Sequence, residues 1–268
     1  MKYLVGTSAA SSAQATTLLQ DQLTARFERV LEVEIARAMG EMIDQYEATR
    51  ATPTLPPEHE ARMAEIWAQM VTASVSAFGE RVLDQGKAAG LILETKSFAE
   101  LFARLSLEYI SSEIIRARIT MVSETLRNQI VNVIGAGQAT GSTLPEISKQ
   151  LRTLSRTIPR FRADMIARTE VHGASNYGAH EAARSTGLEL EKEWVSVEDH
   201  RTRSFIQEDE FSHRAMNGQK RGMDDPFDMP WSGNEPLKVQ YPGEAGLPGG
   251  AVINCRCVVV HGVKDFDE

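Results

Sequence analysis

The chain has 268 residues, 25% charged and 42% hydrophobic, with two cysteines and a formal net charge of −8. That is length enough for one large or two ordinary globular domains, and the negative charge excludes a general coat for nucleic acid, whose affinity comes from neutralised phosphates. Two cysteines exclude a disulfide scaffold and fit a reducing compartment, and no apolar run approaches the ~18 residues that span a bilayer.

The opening stretch, MKYLVGTSAASSAQA, has an apolar run of about three residues, short of the ~7–15 of a secretory signal. It is expected to be the flexible start of a cytoplasmic protein. Over residues 13–50, Leu23, Phe27, Leu31, Ile35, Met39, Met42 and Tyr46 recur every three or four positions, one face of a long amphipathic helix. The prolines of ATPTLPP (51–57) end it. A second helix is predicted over 58–84, with Met63, Ile66, Trp67, Met70, Phe78 and Val82 as its apolar face; GKAAG (86–90) breaks the pattern again. A third spans 97–134. GAGQATGS (135–142) has no periodicity and reads as the domain boundary. Thr143 and Glu146 then form a capping-box pattern, opening a helix that Pro159 interrupts, and another helix runs from about residue 160 to 185.

After Gly187 the texture changes. EWVSV (193–197) alternates as a strand does, and AVINCRCVVV (251–260) is rich in β-branched residues. Between them, closely spaced glycines and prolines force loops. The expected architecture is α+β: a long-helix arm over 1–140, followed by a small loop-rich α+β domain over 141–268 with a short antiparallel sheet.

The two cysteines stand one residue apart in INCRC (253–257). A disulfide is excluded, because on a strand their Cα atoms lie about 7 Å apart, at the edge of disulfide geometry. Strand alternation puts Ile253, Cys255, Cys257 and Val259 on one face and Asn254, Arg256 and Val258 on the other. That face suits core burial, since free cysteine packs as a small hydrophobe. It also suits two of the roughly four ligands of a zinc ion; Asp199, His200 and His213, in the loop after the first strand, are the candidates for the others.

Two further groups stand out. Lys149, Arg152, Arg156, Arg160, Arg162 and Arg168 face a single acid, Asp164, within twenty residues. In an acidic chain this is the candidate contact for phosphate or an acidic partner. Arg168, His172 and Asn176, four apart, line one helix stripe, placed either to order the loops of the strand domain or to wall an active site. Phosphate-cradling glycine loops, His-Glu-x-x-His and nucleophile elbows are absent from the sequence.

Taken in order, ARTE (167–170), EWVSVEDHRTR (193–203), SHRAMNGQ (212–219), DDPF (224–227), YPGE (241–244) and INCRC resemble the C-terminal domain of the phage Mu F-like minor head proteins. The resemblance covers about residues 143–260. It implies a structural, nonenzymatic protein of tailed-phage or prophage heads, present in few copies inside the capsid near the portal vertex after assembly in the host cytoplasm. Its implied partners are the portal, the shell or scaffold and packaged DNA, with roles in head morphogenesis, DNA packaging and ejection. Matching positions include Asp199, His213, Cys255 and Cys257, which would hold one structural zinc, and the motif residues Thr169, Glu170, Arg201, Thr202, Gly218 and Asn254. SFIQEDEF (204–211) separates Arg203 from His213 where relatives bring the histidine sooner; if Asp199 and His213 cooperate, this acidic segment loops out. The rival reading is a metal-dependent hydrolase or nuclease using Asp199, His213 and the cysteine pair.

Overall fold

The computed structural model describes residues 2–3, 8–88 and 98–263. In chain order it contains β1 (Lys2–Tyr3), α1 (Ala9–Thr49), α2 (His59–Ala88), α3 (Phe98–Ser111), α4 (Glu113–Ala139), α5 (Leu144–Ser185) and β2 (Leu190–Val195). Then follow β3 (Lys220–Gly222), β4 (Phe227–Trp231), β5 (Asn234–Val239), α6 (Gly249–Val252) and β6 (Val258–Val263). No described helix is long and apolar enough to cross a membrane. The class is α+β, long helices preceding a small domain of short antiparallel sheets, as the texture of the sequence predicts. The chain packs as two compact units: one takes the residues up to Leu23, Met70–Tyr109 and those from Arg168 onward, the other Thr24–Gln69 and Ile110–Ala167.

The second of these units is helical throughout. Phe27, Leu31, Ile35, Met39, Met42 and Tyr46 of α1 are buried, as are Met63, Ile66 and Trp67 of α2. The helix predicted over 97–134 is two helices. Ser112 adopts extended geometry between them, and its hydroxyl accepts from the Ile115 N–H at 3.3 Å, capping α4. α4 then runs through most of the predicted boundary to Ala139, because Gly137 lets it approach α5. A Cβ there would lie 2.6 Å from Ile147 Cγ1. The chain turns at Gly141, whose φ of 73° suits glycine. Glu146 accepts from the Thr143 N–H at 2.7 Å, half of the expected capping box. From there α5 is one unbroken helix of 42 residues with Pro159 inside it. The local cost of proline is overridden by the buried stripe Ile147, Leu151, Ala163, Ile166 and Ala167 on both sides of it.

The first unit holds an antiparallel sheet in the order β1–β6–β2–β3 and a separate β4–β5 hairpin. β2 pairs along its whole length with β6, from Leu190↔Val263 to Val195↔Val258. Its core gathers Trp194, Phe211, Met216, Phe227, Met229 and Val239 with Cys255, Cys257 and Val259, and Trp194 meets Phe227 edge-on at 5.5 Å. α5 supports this core at very close range: a Cβ on Gly173 would lie 2.9 Å from the Gly243 carbonyl oxygen. Both predicted strands are displaced. β2 ends at Val195, where the Ser196 N–H turns to Asn217 Oδ1 at 2.9 Å instead of the ladder. β6 begins only at Val258, because Gly249–Val252 form the short helix α6 and Asn254 takes a left-handed φ of 57°. The cysteines therefore sit on the turn leading into β6, not within it.

Candidate metal centre

His213, Cys255 and Cys257 are brought together by two loops, and all three side chains are buried. The first loop begins after β2. The segment 204–211 is an excursion, with a short 3₁₀ turn at Phe205–Gln207 and Ile206 89% exposed. Its base closes where the Arg214 N–H bonds the Arg203 carbonyl at 3.1 Å, and Ser204 N bonds Asp209 Oδ2 at 2.9 Å. This returns the chain to His213 directly after the Asp199–Arg203 turn. The histidine is then fixed from behind: Ser196 Oγ donates to its carbonyl at 2.6 Å, and Gly218 N and Trp194 O, 2.8 Å apart, tie the SHRAMNGQ segment to β2. Gly218 has a φ of 77°, which explains a glycine at that point of the block.

The second loop carries the cysteines, and Asn176 of α5 organises it. Its Nδ2 donates to the carbonyls of His172 and Pro242 at 3.0 Å and of Cys257 at 3.1 Å, while its Oδ1 accepts from the Val259 N–H at 3.0 Å. Thr169 Oγ1 accepts from the Asn254 N–H at 3.1 Å, and Arg203 donates to the Ile253 carbonyl. Asn176 of the predicted polar stripe and Thr169 beside it thus order the cysteine loop; Glu170, one residue after Thr169, is buried.

His213 Nδ1 lies 3.5 Å from each cysteine Sγ. A tetrahedral ion with metal–sulfur bonds of about 2.3 Å and metal–nitrogen bonds of about 2.0–2.1 Å separates such ligand atoms by about 3.5 Å, so the three donors fit one ion. Their chemistry agrees: the Cys257 thiol is pulled below its usual range, first by its hydrogen bond with Cys255 and then by His213, which favours the thiolate a metal needs, while its partner Cys255 is pushed up. His213 Nε2 is buried and has no hydrogen-bond partner among the described residues. Beside the donors is a cleft of about 10 Å³, room for roughly one water. Val197, Arg201, Thr202, Arg203, Asn254 and Arg256 complete its walls, with no carboxylate among them.

Asp199 is placed elsewhere. Its carboxylate grips the guanidinium of Arg256 through two bonds of 2.6 and 2.5 Å and accepts from the Arg201 N–H at 2.9 Å, with Thr202 Oγ1 at 3.4 Å. Hydrogen bonding from Arg256 holds it well below the usual carboxylate range. Its carbonyl accepts from Arg214 at 3.1 Å, so the Asp199 turn connects the residue between the cysteines to the residue after the histidine. Arg256 is the site residue that sequence reasoning missed; its place between two cysteines, on the opposite face, was the available signal.

Of the basic stretch, Lys149, Arg152, Arg156 and Arg160 share the exposed side of α5 across Pro159, whereas Arg162 is buried and Arg168 half-buried. Arg152 is engaged by Glu47 at 2.6 Å and Asp44 at 3.7 Å.

Residues 128–260 match the family model described as Phage Mu protein F like protein. Through this segment the chain belongs to the Phage Mu F-like family. The matched stretch includes the three candidate donors His213, Cys255 and Cys257, the Asp199 turn and Asn176. No curated protein and no solved structure matches the chain.

Proposed function

We propose that this Mu F-like chain is a structural minor head protein of a tailed phage or prophage, acting in head morphogenesis at the portal and in DNA packaging and ejection. The observation that carries the reading is the family match over residues 128–260. In this reading residues 1–140 form the arm that contacts portal, shell or scaffold, and residues 141–268 form the morphogenesis domain. The protein lies inside the virion near the portal vertex after assembly in the host cytoplasm, and it spans no membrane.

We assign His213, Cys255 and Cys257 to one structural zinc, whose chemistry when bound is a cross-link between loops more than forty residues apart in the chain. Around it the chain supplies the ordering. Asn176 holds the cysteine loop against α5, and Ser196 holds the histidine against β2. Asp199 is a support in this arrangement rather than a ligand, since its carboxylate is given to Arg256.

Three donors beside a water-sized cleft also favour a second reading, a hydrolytic metal site with an open position. Such a site needs a base within reach of the water. Among the described residues the cleft walls offer none, and the carboxylate of Asp199 is held below its usual range by Arg256. The structural reading is therefore preferred. A mass-spectrometric inventory of purified heads tests it: the chain is expected at a few copies per head, and its absence would overturn the reading.

A further inference from the structure

Beyond Asn176, the last turns of α5 carry a second polar stripe. Tyr177, His180, Glu181 and Arg184 stand at i, i+3, i+4 and i+7, the spacing that gathers side chains on one helix face. With Asp224, Tyr241 and Glu244 they line a cleft of about 320 Å³, the size of a small-ligand pocket. All of these residues belong to the unit that holds the sheet. The YPGE turn supplies two of them: the Glu244 N–H bonds the Tyr241 carbonyl at 3.3 Å, and Glu244 Oε2 accepts from the Gln240 N–H at 2.7 Å.

The charges in the cleft do not balance. Three carboxylates line it with one guanidinium, and Arg184 is already bonded to two of them, Glu181 at 3.4 Å and Asp224 at 3.2 Å. Glu244 has no ion-pair partner among the described residues. Burial pushes it above its usual range, and Lys192 offsets only part of that effect. The Lys192 ammonium is committed elsewhere, to Gln240 Oε1 at 2.5 Å and to the Phe227 ring at 5.2 Å, and the residue is not among the cleft walls.

His180 adds an independent observation. It lines the same cleft, is only 2% exposed, and its buried Nδ1 has no hydrogen-bond partner among the described residues. Burial keeps the imidazole neutral, so with the ring proton on Nε2 this nitrogen is an acceptor. Its ring lies 5.5 Å from that of Tyr241, which lies 6.0 Å from that of Tyr177. Aromatic faces at such range attract a cation.

We propose that this cleft binds the ammonium group of an aliphatic amine, either a free diamine or a lysine side chain of another protein. An ammonium brings three donors, for which Glu244 and His180 Nδ1 are the acceptors, while Tyr177 and Tyr241 cover the alkyl chain. An anion would meet two carboxylates held by Arg184 and a third without a cation. An apolar ligand would leave Glu244 and Nδ1 unsatisfied. The inference depends on neither the zinc nor the head-protein reading.

The test is calorimetric titration of the full chain at neutral pH with putrescine and with a capped lysine amide, beside butanediol and butyrate as neutral and anionic counterparts. At least one amine should saturate with a Kd of about 1 mM or tighter, and the tighter of the two identifies the source. Glu244→Gln, which keeps an acceptor for the Gln240 N–H, should weaken the amine about tenfold or more. Glu208→Gln, at an exposed acid outside the cleft, should leave it unchanged. In nitrogen NMR of the histidine rings, the His180 Nδ1 resonance should move on saturation as it gains a donor. Butanediol or butyrate binding as tightly as the amines would overturn the proposal, as would no saturation by either amine up to about 10 mM. Equal effects of Glu244→Gln and Glu208→Gln would mean diffuse attraction to an acidic chain and would overturn it too. Circular dichroism checks that Glu244→Gln folds; if it does not, a His180 Nδ1 resonance that stays still in the saturated wild-type chain is the refuting result.

Discussion

Asn176 offers the sharpest test of how the cysteine loop is held. Its side chain is buried, 1% exposed, and satisfies three groups outside its own helix: the carbonyls of Pro242 and Cys257 and the N–H of Val259. Asn176→Ala leaves all three without this partner. An orphaned buried polar group costs about 1–3 kcal/mol; with water entering part of the space, the expected loss is about 3–5 kcal/mol, a large share of the ~5–15 kcal/mol that stabilises a typical domain. Asn176→Asp separates donor from acceptor. It can still accept from Val259 but sets a carboxylate against two carbonyl oxygens, so it should not rescue. The assay is urea denaturation followed by tryptophan fluorescence, with unchanged slope and a lowered midpoint expected for both variants. A loss below about 1 kcal/mol in Asn176→Ala, or rescue by Asn176→Asp, would refute the reasoning.

Three more outcomes follow from the same structure. Burial, with help from neighbouring cations, lowers His172 to about 3, His180 to about 2 and His261 to about 3. Between those values and the unfolded value of about 6.5 the unfolded chain binds more protons, so stability falls on acidification below pH 6.5. The loss approaches about 1.4 kcal/mol per pH unit for each histidine, and denaturant midpoints measured from pH 7 to pH 5 check it. For Asp199 the folded value is depressed, so its contribution is present above the unfolded carboxylate range and fades as pH falls through it. Asp199→Asn should cost about 1 kcal/mol at pH 7 for this solvent-screened pair, and its gap from wild type should shrink below about pH 4. Pro159→Ala restores a backbone donor inside α5 and should raise the melting temperature by about 2–4 °C in a thermal scan; a decrease would show that the proline ring's packing matters more.

The sequence made the helical stripe of α1 legible because one apolar face repeats over the whole helix, and Phe27 to Tyr46 are buried as that pattern requires. Boundaries were harder wherever tertiary packing opposes local preference. Gly135 and Gly137 read as a linker but lie inside α4, and at Gly137 close approach to Ile147 needs a residue without a side chain. Pro159 reads as a break, yet α5 continues through it. Ser112 caps α4 inside a stretch whose apolar pattern reads as one continuous helix. At the site, the order of the motif blocks pointed to His213 and both cysteines before any geometry existed. What the pattern could not supply was the turn at Asn254, which takes the cysteines off the strand, or the direction of Asp199, since a carboxylate near cysteines looks like a ligand until Arg256 is seen beside it. Core burial and metal binding, posed as alternatives for the cysteines, are compatible: both thiols belong to the hydrophobic cluster and both face His213 Nδ1.

The central claim is that His213, Cys255 and Cys257 hold one structural zinc, and metal content tests it most directly. Elemental mass spectrometry on the purified full chain should find about one zinc per molecule, lost in both His213→Ala and Cys257→Ser and retained in Asp199→Asn. A folded wild-type protein that takes up no zinc when the ion is supplied, or a Cys257→Ser variant that keeps it, would contradict the account.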